Sequence, residues 1–136
     1  MSIYRKIGLG IVFVWFFGGG VGHFITPEFF VSIMPTYLPY HYAAVYISGV
    51  FEILGALGIL LTPWRQAAGN GLFLLTIAVT PVNIHMWLNP ELFPEVPPEA
   101  LSIRLVVQVM LLICIWKSTR YIGEDDAEET KNTSVA

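Results

Sequence analysis

Four long apolar segments dominate the hydrophobic pattern of the chain, separated by connections in which prolines indicate loops and turns. They cover residues of about 7–24, 42–61, 67–88 and 101–116. As helices they would be roughly 24–33 Å long, which suits a bilayer core of roughly 30 Å. Helices are the expected form because backbone polar groups must be satisfied internally in lipid. We therefore predict an all-α, membrane-embedded four-helix bundle.

The charged residues that flank the segments differ in sign between the two sides. Cations flank one side, at Arg5, Lys6, Arg65, Lys117 and Arg120. The two connections on the other side hold only acids, at Glu28, Glu91, Glu95 and Glu99. By the positive-inside rule, both termini should be cytoplasmic, and we expect a bacterial cytoplasmic (inner) membrane protein. Residues 1–120 are predicted to form the four-span transmembrane domain, and residues 121–136 an acidic, disordered cytoplasmic tail.

Composition agrees with this prediction and excludes several classes of protein. The 136 residues are 55% hydrophobic and 12% charged, whereas soluble domains are about 25% charged. No basic stripe is present, so a nucleic-acid partner is not expected. The one cysteine, Cys114, cannot form a disulfide framework within the chain. The histidines His23, His41 and His85 lack metal-ligand spacing, so no metal site is expected.

The few polar residues inside the apolar segments are the candidates for function. The main candidates are Glu52, Asn83, Arg104 and Gln108, and the secondary candidates are His23 and His85. At about 1.5 Å per residue they converge on the outer half of the bundle. Glu52 is the only acid in any span and Arg104 the only base, so the two are predicted to pair. The alternative for Arg104 is a side chain that reaches toward the outer interface.

Three motifs give the chain a family resemblance. They are SGVFEILGALGILLTP in the second span, TIAVTPVNIHMW in the third and SIRLVVQ in the fourth. With them the chain resembles the DoxX-like family of small four-span membrane proteins, over about residues 5–118. At Val106 the family frequently has proline instead. The resemblance implies that Glu52, Asn83, Arg104 and Gln108 occupy the family's recurrent polar positions.

The same resemblance implies a role in redox chemistry or in assembly. Some relatives are linked to quinones, as a thiosulfate:quinone oxidoreductase subunit or in resistance to quinones and catechols. Another belongs to a membrane complex that handles oxidative stress, and a eukaryotic branch assists receptor assembly. The implied function is that of a quinone-linked or oxidative-stress-related membrane subunit.

The residues themselves leave several functions open. Arg104, Gln108 and Asn83 as donors, with Glu52 as proton acceptor, would suit a quinone. The same side chains would equally serve as a polar pin that fixes helix register, in a non-enzymatic assembly or accessory protein. A small transporter would need oligomers. No catalytic residue is assigned, and whether the chain is an enzyme stays open.

The expected cofactors and partners follow from these alternatives. No cofactor is evident beyond a quinone, and a haem held by His23 and His85 is not expected. The lipid bilayer is the expected partner. The sequence is also compatible with a soluble or membrane redox partner and with a homo-oligomer.

Overall fold

A computed structural model describes residues 3–94 and 96–120, and this part of the chain is all-α. Its helices are α1 (Ile3–Ile25), α2 (Pro27–Ser32), α3 (His41–Leu60), α4 (Arg65–Leu88) and α5 (Pro98–Thr119). Short 3₁₀ turns lie at Thr62–Trp64 and Pro90–Leu92. The prediction of an all-α chain with four long apolar helices is confirmed. The predicted tail, residues 121–136, lies outside the described residues.

The long helices α1, α3, α4 and α5 form an antiparallel bundle. In cyclic order α1 packs against α3, α3 against α4, α4 against α5, and α5 against α1. Consequently α3 and α5 lie on one diagonal, and α1 and α4 on the other. All four are long and apolar enough to cross a membrane. The bundle is thus compatible with a membrane protein.

The outer surface of the bundle is compatible with a lipid environment. Large apolar side chains are exposed on every long helix, among them Val14, Trp15, Leu54, Leu74 and Met110. In water such a continuous apolar surface would be an association or aggregation surface. Small residues occupy close contacts between helices instead, for example Gly20 of α1 beside Gly49 of α3. This pattern is typical of helix packing in membranes.

The end of the bundle where α1 and α4 begin, here called the basic end, uses arginines to satisfy helix termini. The Nε of Arg5 donates to the carbonyl of Ser118 at 2.9 Å, and its Nη2 donates to the carbonyl of Arg120 at 2.7 Å. The buried Arg65 donates to the carbonyl of Ile59 at 2.8 Å. Cations near helix C-termini satisfy free carbonyls and complement the helix dipole.

The opposite end, here called the loop end, carries a short helix that the sequence analysis does not predict. The segment between α1 and α3 reads as a proline-punctuated loop, yet Pro27–Ser32 forms α2. Pro27 stands in the first turn, where its missing N–H costs no helical hydrogen bond. Phe30 of α2 lies over the His23 ring, with 4.0 Å between the ring centroids. Part of this segment therefore covers a polar residue of the bundle.

Among the described residues, two separate hydrophobic clusters fill the interior of the bundle. The basic-end cluster joins all four long helices and consists of Leu9, Val12, Phe16, Ala56, Ile59, Leu72 and Ile115. The loop-end cluster consists of Ile33, Met86 and Leu101, with Val82, Phe93 and Val96 packed against it. On α4 and α5, polar side chains occupy the positions between the two clusters. We call this level the polar layer.

Candidate functional site

The polar layer contains two networks of polar contacts, one between α1 and α3 and one between α4 and α5. The first network consists of His23, Ser48 and Glu52 with the carbonyl of Val45. The second consists of Thr80, Asn83, Arg104 and Gln108. The sequence-predicted residues are therefore brought into the bundle interior as two groups rather than one.

Spacing along α3 explains how the first network reaches the interior. Buried residues of α3 lie at positions 45, 49, 56 and 59, and the half-buried Glu52 completes a stripe with alternating spacings of four and three residues. Ser48 lies one turn before Glu52, so both face α1. From α1, His23 is at the end of the buried stripe that includes Phe16 and Gly20.

The contacts of His23 use both of its ring nitrogens. Nδ1 lies 2.8 Å from the carbonyl oxygen of Val45 and 3.1 Å from Oγ of Ser48. Nε2 lies 3.2 Å from Oε2 of Glu52. That oxygen is buried and has no aligned hydrogen-bond donor, so the short contact with His23 is an ion-pair distance without hydrogen-bond alignment. The carboxylate end of the first network keeps unused hydrogen-bonding capacity.

The second network is a chain of directed hydrogen bonds across α4 and α5. Nη2 of Arg104 donates to Oδ1 of Asn83 at 3.2 Å, and the Asn83 amide donates to Oε1 of Gln108. The Gln108 amide donates to Oγ1 of Thr80, which donates to the carbonyl of Thr76 at 3.0 Å. Every amide in this chain has a partner. Arg104, at its start, uses one of the several N–H donors of a guanidinium.

The predicted ion pair between Glu52 and Arg104 is wrong. Both residues lie within the described ranges, and no ion pair joins them there; Glu52 contacts His23, while Arg104 donates to Asn83. The physical reason is the order of the helices. Helices α3 and α5 are on a diagonal and do not pack directly against each other, so Glu52 and Arg104 each meet a side chain of an adjacent helix instead.

Of the secondary candidates, only His23 joins a network. The His85 ring lies beside Asn89, with Nδ1 3.4 Å from the Asn89 side-chain nitrogen, and meets the Phe93 ring edge-on. Sequence reasoning missed Ser48 and Thr80. Their spacing carried a signal, since Ser48 lies four residues before Glu52 and Thr80 three residues before Asn83 on the same helix faces.

One further surface lies apart from the polar layer. An apolar groove between α3 and α4 toward the basic end is lined by residues such as Leu57, Gly58, Ala68 and Gly71, and by no residue of either network. As for metals, residues 3–94 and 96–120 bring together no group of three or more His, Cys, Asp or Glu side chains.

Fold and site together define a small all-α protein with four long apolar helices and a polar layer between two apolar clusters. The family described as "Domain of unknown function (DUF8561)" has a model that matches residues 12–119. The chain belongs to this family. No curated protein matches it, and no solved structure does.

The family match corrects the resemblance drawn from the three motifs. The matching family is DUF8561, so the identification as a DoxX-like protein is wrong. The motifs consist of an acid among glycines, an asparagine after a proline, and an arginine one turn before a glutamine. Small residues at close contacts and buried polar pairs are general requirements of membrane helix bundles, so such motifs can arise in unrelated families.

Proposed function

We propose that the chain is an integral membrane protein that binds a lipid-soluble quinone in its polar layer and takes part in quinone-linked redox or oxidative-stress chemistry. One observation carries the proposal: each network includes a charged group with unused hydrogen-bonding capacity, Glu52 in the first and Arg104 in the second. A quinone ring has two carbonyl oxygens that accept hydrogen bonds, and its reduced form has two hydroxyls that donate them.

The chemistry of these two groups matches the two ends of such a ring. Arg104 donates from its remaining N–H groups to one ring oxygen, while Glu52 accepts a hydrogen bond from a hydroxyl at the other end. Their positions support this arrangement, because both residues lie on inward-facing stripes of helices that are diagonal in the bundle. The apolar tail of the ligand would stay among the lipid-facing side chains. Electrons come from a soluble or membrane partner in this proposal.

The proposal places the bundle in a bacterial cytoplasmic membrane with both termini in the cytoplasm. The length and apolar surface of the four helices support the membrane location. Arg5, Arg65 and Arg120 gather at the basic end, whereas Glu28 and Glu99 are exposed at the loop end. Under the positive-inside rule the basic end faces the cytoplasm.

A second candidate function is that of a non-enzymatic assembly or accessory protein. It is favoured by the internal satisfaction of the second network, in which the amides of Asn83 and Gln108 bond each other and Thr80. A satisfied network of this kind fixes the register of α4 against α5 without any ligand. In this case the polar layer serves the fold alone, and the exposed helix faces contact partner spans.

The experiment that separates the two candidates is identification of co-purifying small molecules by mass spectrometry. Wild-type protein is compared with Arg104→Leu and Arg104→Gln, and with Lys117→Leu as a control that removes an exposed cation from the same helix. Size-exclusion chromatography confirms that each variant is folded. We expect a quinone with wild type and with the Lys117 variant, and its loss from the Arg104 variants. Lipids alone in all four samples would favour the accessory role.

A further inference from the structure

The carbonyl of Val45 fixes the proton on one side of the His23 ring. It lies 2.8 Å from Nδ1, and a carbonyl oxygen only accepts hydrogen bonds. Nδ1 must therefore carry a hydrogen. The Ser48 hydroxyl, 3.1 Å from the same nitrogen, donates its own hydrogen to Val45 at 3.0 Å and presents its oxygen to the ring.

This tautomer determines what lies between Nε2 of His23 and Oε2 of Glu52. With Nδ1 protonated, a neutral ring leaves Nε2 without a proton, 3.2 Å from a carboxylate oxygen. Two electron-rich atoms at that separation repel each other unless one of them carries a proton. Oε2 is buried, and no other donor among the described residues reaches it. The pair must supply that proton itself.

We infer that His23 and Glu52 form a dyad that binds one exchangeable proton in the polar layer of the bundle. The dyad has two equivalent forms, imidazolium with carboxylate, or neutral imidazole with carboxylic acid. Both contain the same single proton and have no net charge. Loss of that proton leaves one net negative charge in the polar layer. The neutral dyad is therefore a proton donor, and the deprotonated dyad is a proton acceptor.

Among the described residues, the groups around the dyad add no third charged partner to it. From α2, the group facing His23 is the Phe30 ring, and the acid of that helix, Glu28, is exposed. From α3, it is the hydroxyl of Ser48. No charged group of α4 or α5 in the described ranges pairs with either member of the dyad.

The titratable and charged groups of α4 and α5 have other positions. Arg104 donates to Asn83, and His85 lies beside Asn89. Arg65, Cys114 and Lys117 lie toward the basic end, and Glu99 is in the first turn of α5.

The same geometry excludes a nucleophilic serine. Ser48, His23 and Glu52 resemble a Ser–His–acid arrangement in their order of contact. A nucleophilic serine needs a ring nitrogen that accepts its proton. Nδ1 already carries a hydrogen for Val45, so it cannot act as that base. The dyad therefore exchanges protons and does not activate Ser48 for acyl transfer.

This inference depends on the contacts of His23 and Glu52 alone and holds whether or not a quinone binds. It is tested by NMR of the full chain in lipid nanodiscs, with ¹⁵N-labelled histidine and ¹³C-labelled glutamate carboxyls. Variants of His41 and His85 to Gln assign the His23 signals, and Glu28→Gln and Ser48→Ala serve as controls.

We expect the Nδ1–H form of His23 at alkaline pH, and a common titration midpoint for the His23 Nε2 and Glu52 carboxyl signals. Ser48→Ala and Glu28→Gln should keep the common midpoint, whereas Glu52→Gln should abolish the linkage. An Nε2–H tautomer at alkaline pH, or two independent midpoints in wild type, would overturn the inference. The wild-type spectra decide the question even if Glu52→Gln does not fold.

Discussion

His23 and Glu52 place Nε2 and Oε2 3.2 Å apart across the contact between α1 and α3. The two helices are adjacent and antiparallel, and side chains lean toward the N-terminus of their own helix. A residue near the end of α1 and one in the middle of α3 therefore lean toward each other. The same reasoning applies to α4 and α5, where Asn83 meets Arg104. Antiparallel adjacency thus organises the polar layer as two neighbouring networks.

We expect Gln108→Leu to destabilise the bundle, because Gln108 is buried and bonds both Asn83 and Thr80. Its loss leaves polar groups without partners, which costs about 1–3 kcal/mol. The free energy of unfolding, measured by SDS titration in mixed micelles, gives the effect. Val109→Leu is the matched control, since Val109 is exposed one residue along the same helix. Equal stability of the two variants would show that the network contributes nothing to folding.

Gly20→Ala should also destabilise the protein, through the contact between α1 and α3. A methyl group at Gly20 would lie 2.7 Å from Cγ1 of Ile53 and 2.9 Å from the carbonyl oxygen of Gly49. The backbone of α3 cannot move aside as a flexible side chain can, so the two helices must separate. We expect this to lower the free energy of unfolding by about 1–3 kcal/mol. At Gly18 the same methyl group meets nothing within 4 Å. Gly18→Ala should therefore retain the thermal stability of wild type, and a similar loss in both variants would argue against this helix contact.

Phe30→Ala should open access to His23. The Phe30 ring lies over the imidazole with 4.0 Å between centroids, and His23 itself is buried. Removing the ring should raise the rate at which diethyl pyrocarbonate modifies His23, as quantified by peptide mass spectrometry. Tyr37→Ala, at an exposed position of the same connection, serves as the control and should leave the rate unchanged. An unchanged rate in Phe30→Ala would mean that α2 does not cover the histidine.

The proposed orientation predicts that the connections at the two ends of the bundle are accessible from opposite sides of the membrane. Tyr37 and Trp64 are both exposed, one toward the loop end and the other toward the basic end. In a Cys114→Ala background, a membrane-impermeant maleimide should label Tyr37→Cys in spheroplasts. Trp64→Cys should react only after the membrane is opened. The reverse pattern would place the termini on the outer side.

The apolar pattern was sufficient to predict the four long helices, because an apolar run of about 20 residues has the length of a membrane-spanning helix, which satisfies its own backbone hydrogen bonds. It also identified Glu52, Asn83, Arg104 and Gln108 as polar residues of the interior. It could not give their partners, since these depend on which helices are adjacent in the bundle. The short helix α2 was missed for another reason: its prolines indicate a loop, although Pro27 in fact begins a helix.

The motifs also could not identify the correct family. The sequence motifs around Glu52, Asn83 and Arg104 reflect close helix packing and polar contacts inside a helix bundle. They do not distinguish among families that share that requirement. The match to DUF8561 extends over residues 12–119, which include many exposed positions that the motifs leave out.

The most direct test of the proposed function is a titration of quinone-free protein in lipid nanodiscs with a decyl-substituted benzoquinone. Wild type and Lys117→Leu should each bind one quinone per chain saturably. Folded Arg104→Leu should bind at least about tenfold more weakly, because a hydrogen bond from a charged donor contributes about 1.5–3 kcal/mol. Absence of saturable binding to folded wild-type protein, or equal binding by folded Arg104→Leu, would contradict a quinone site in the polar layer.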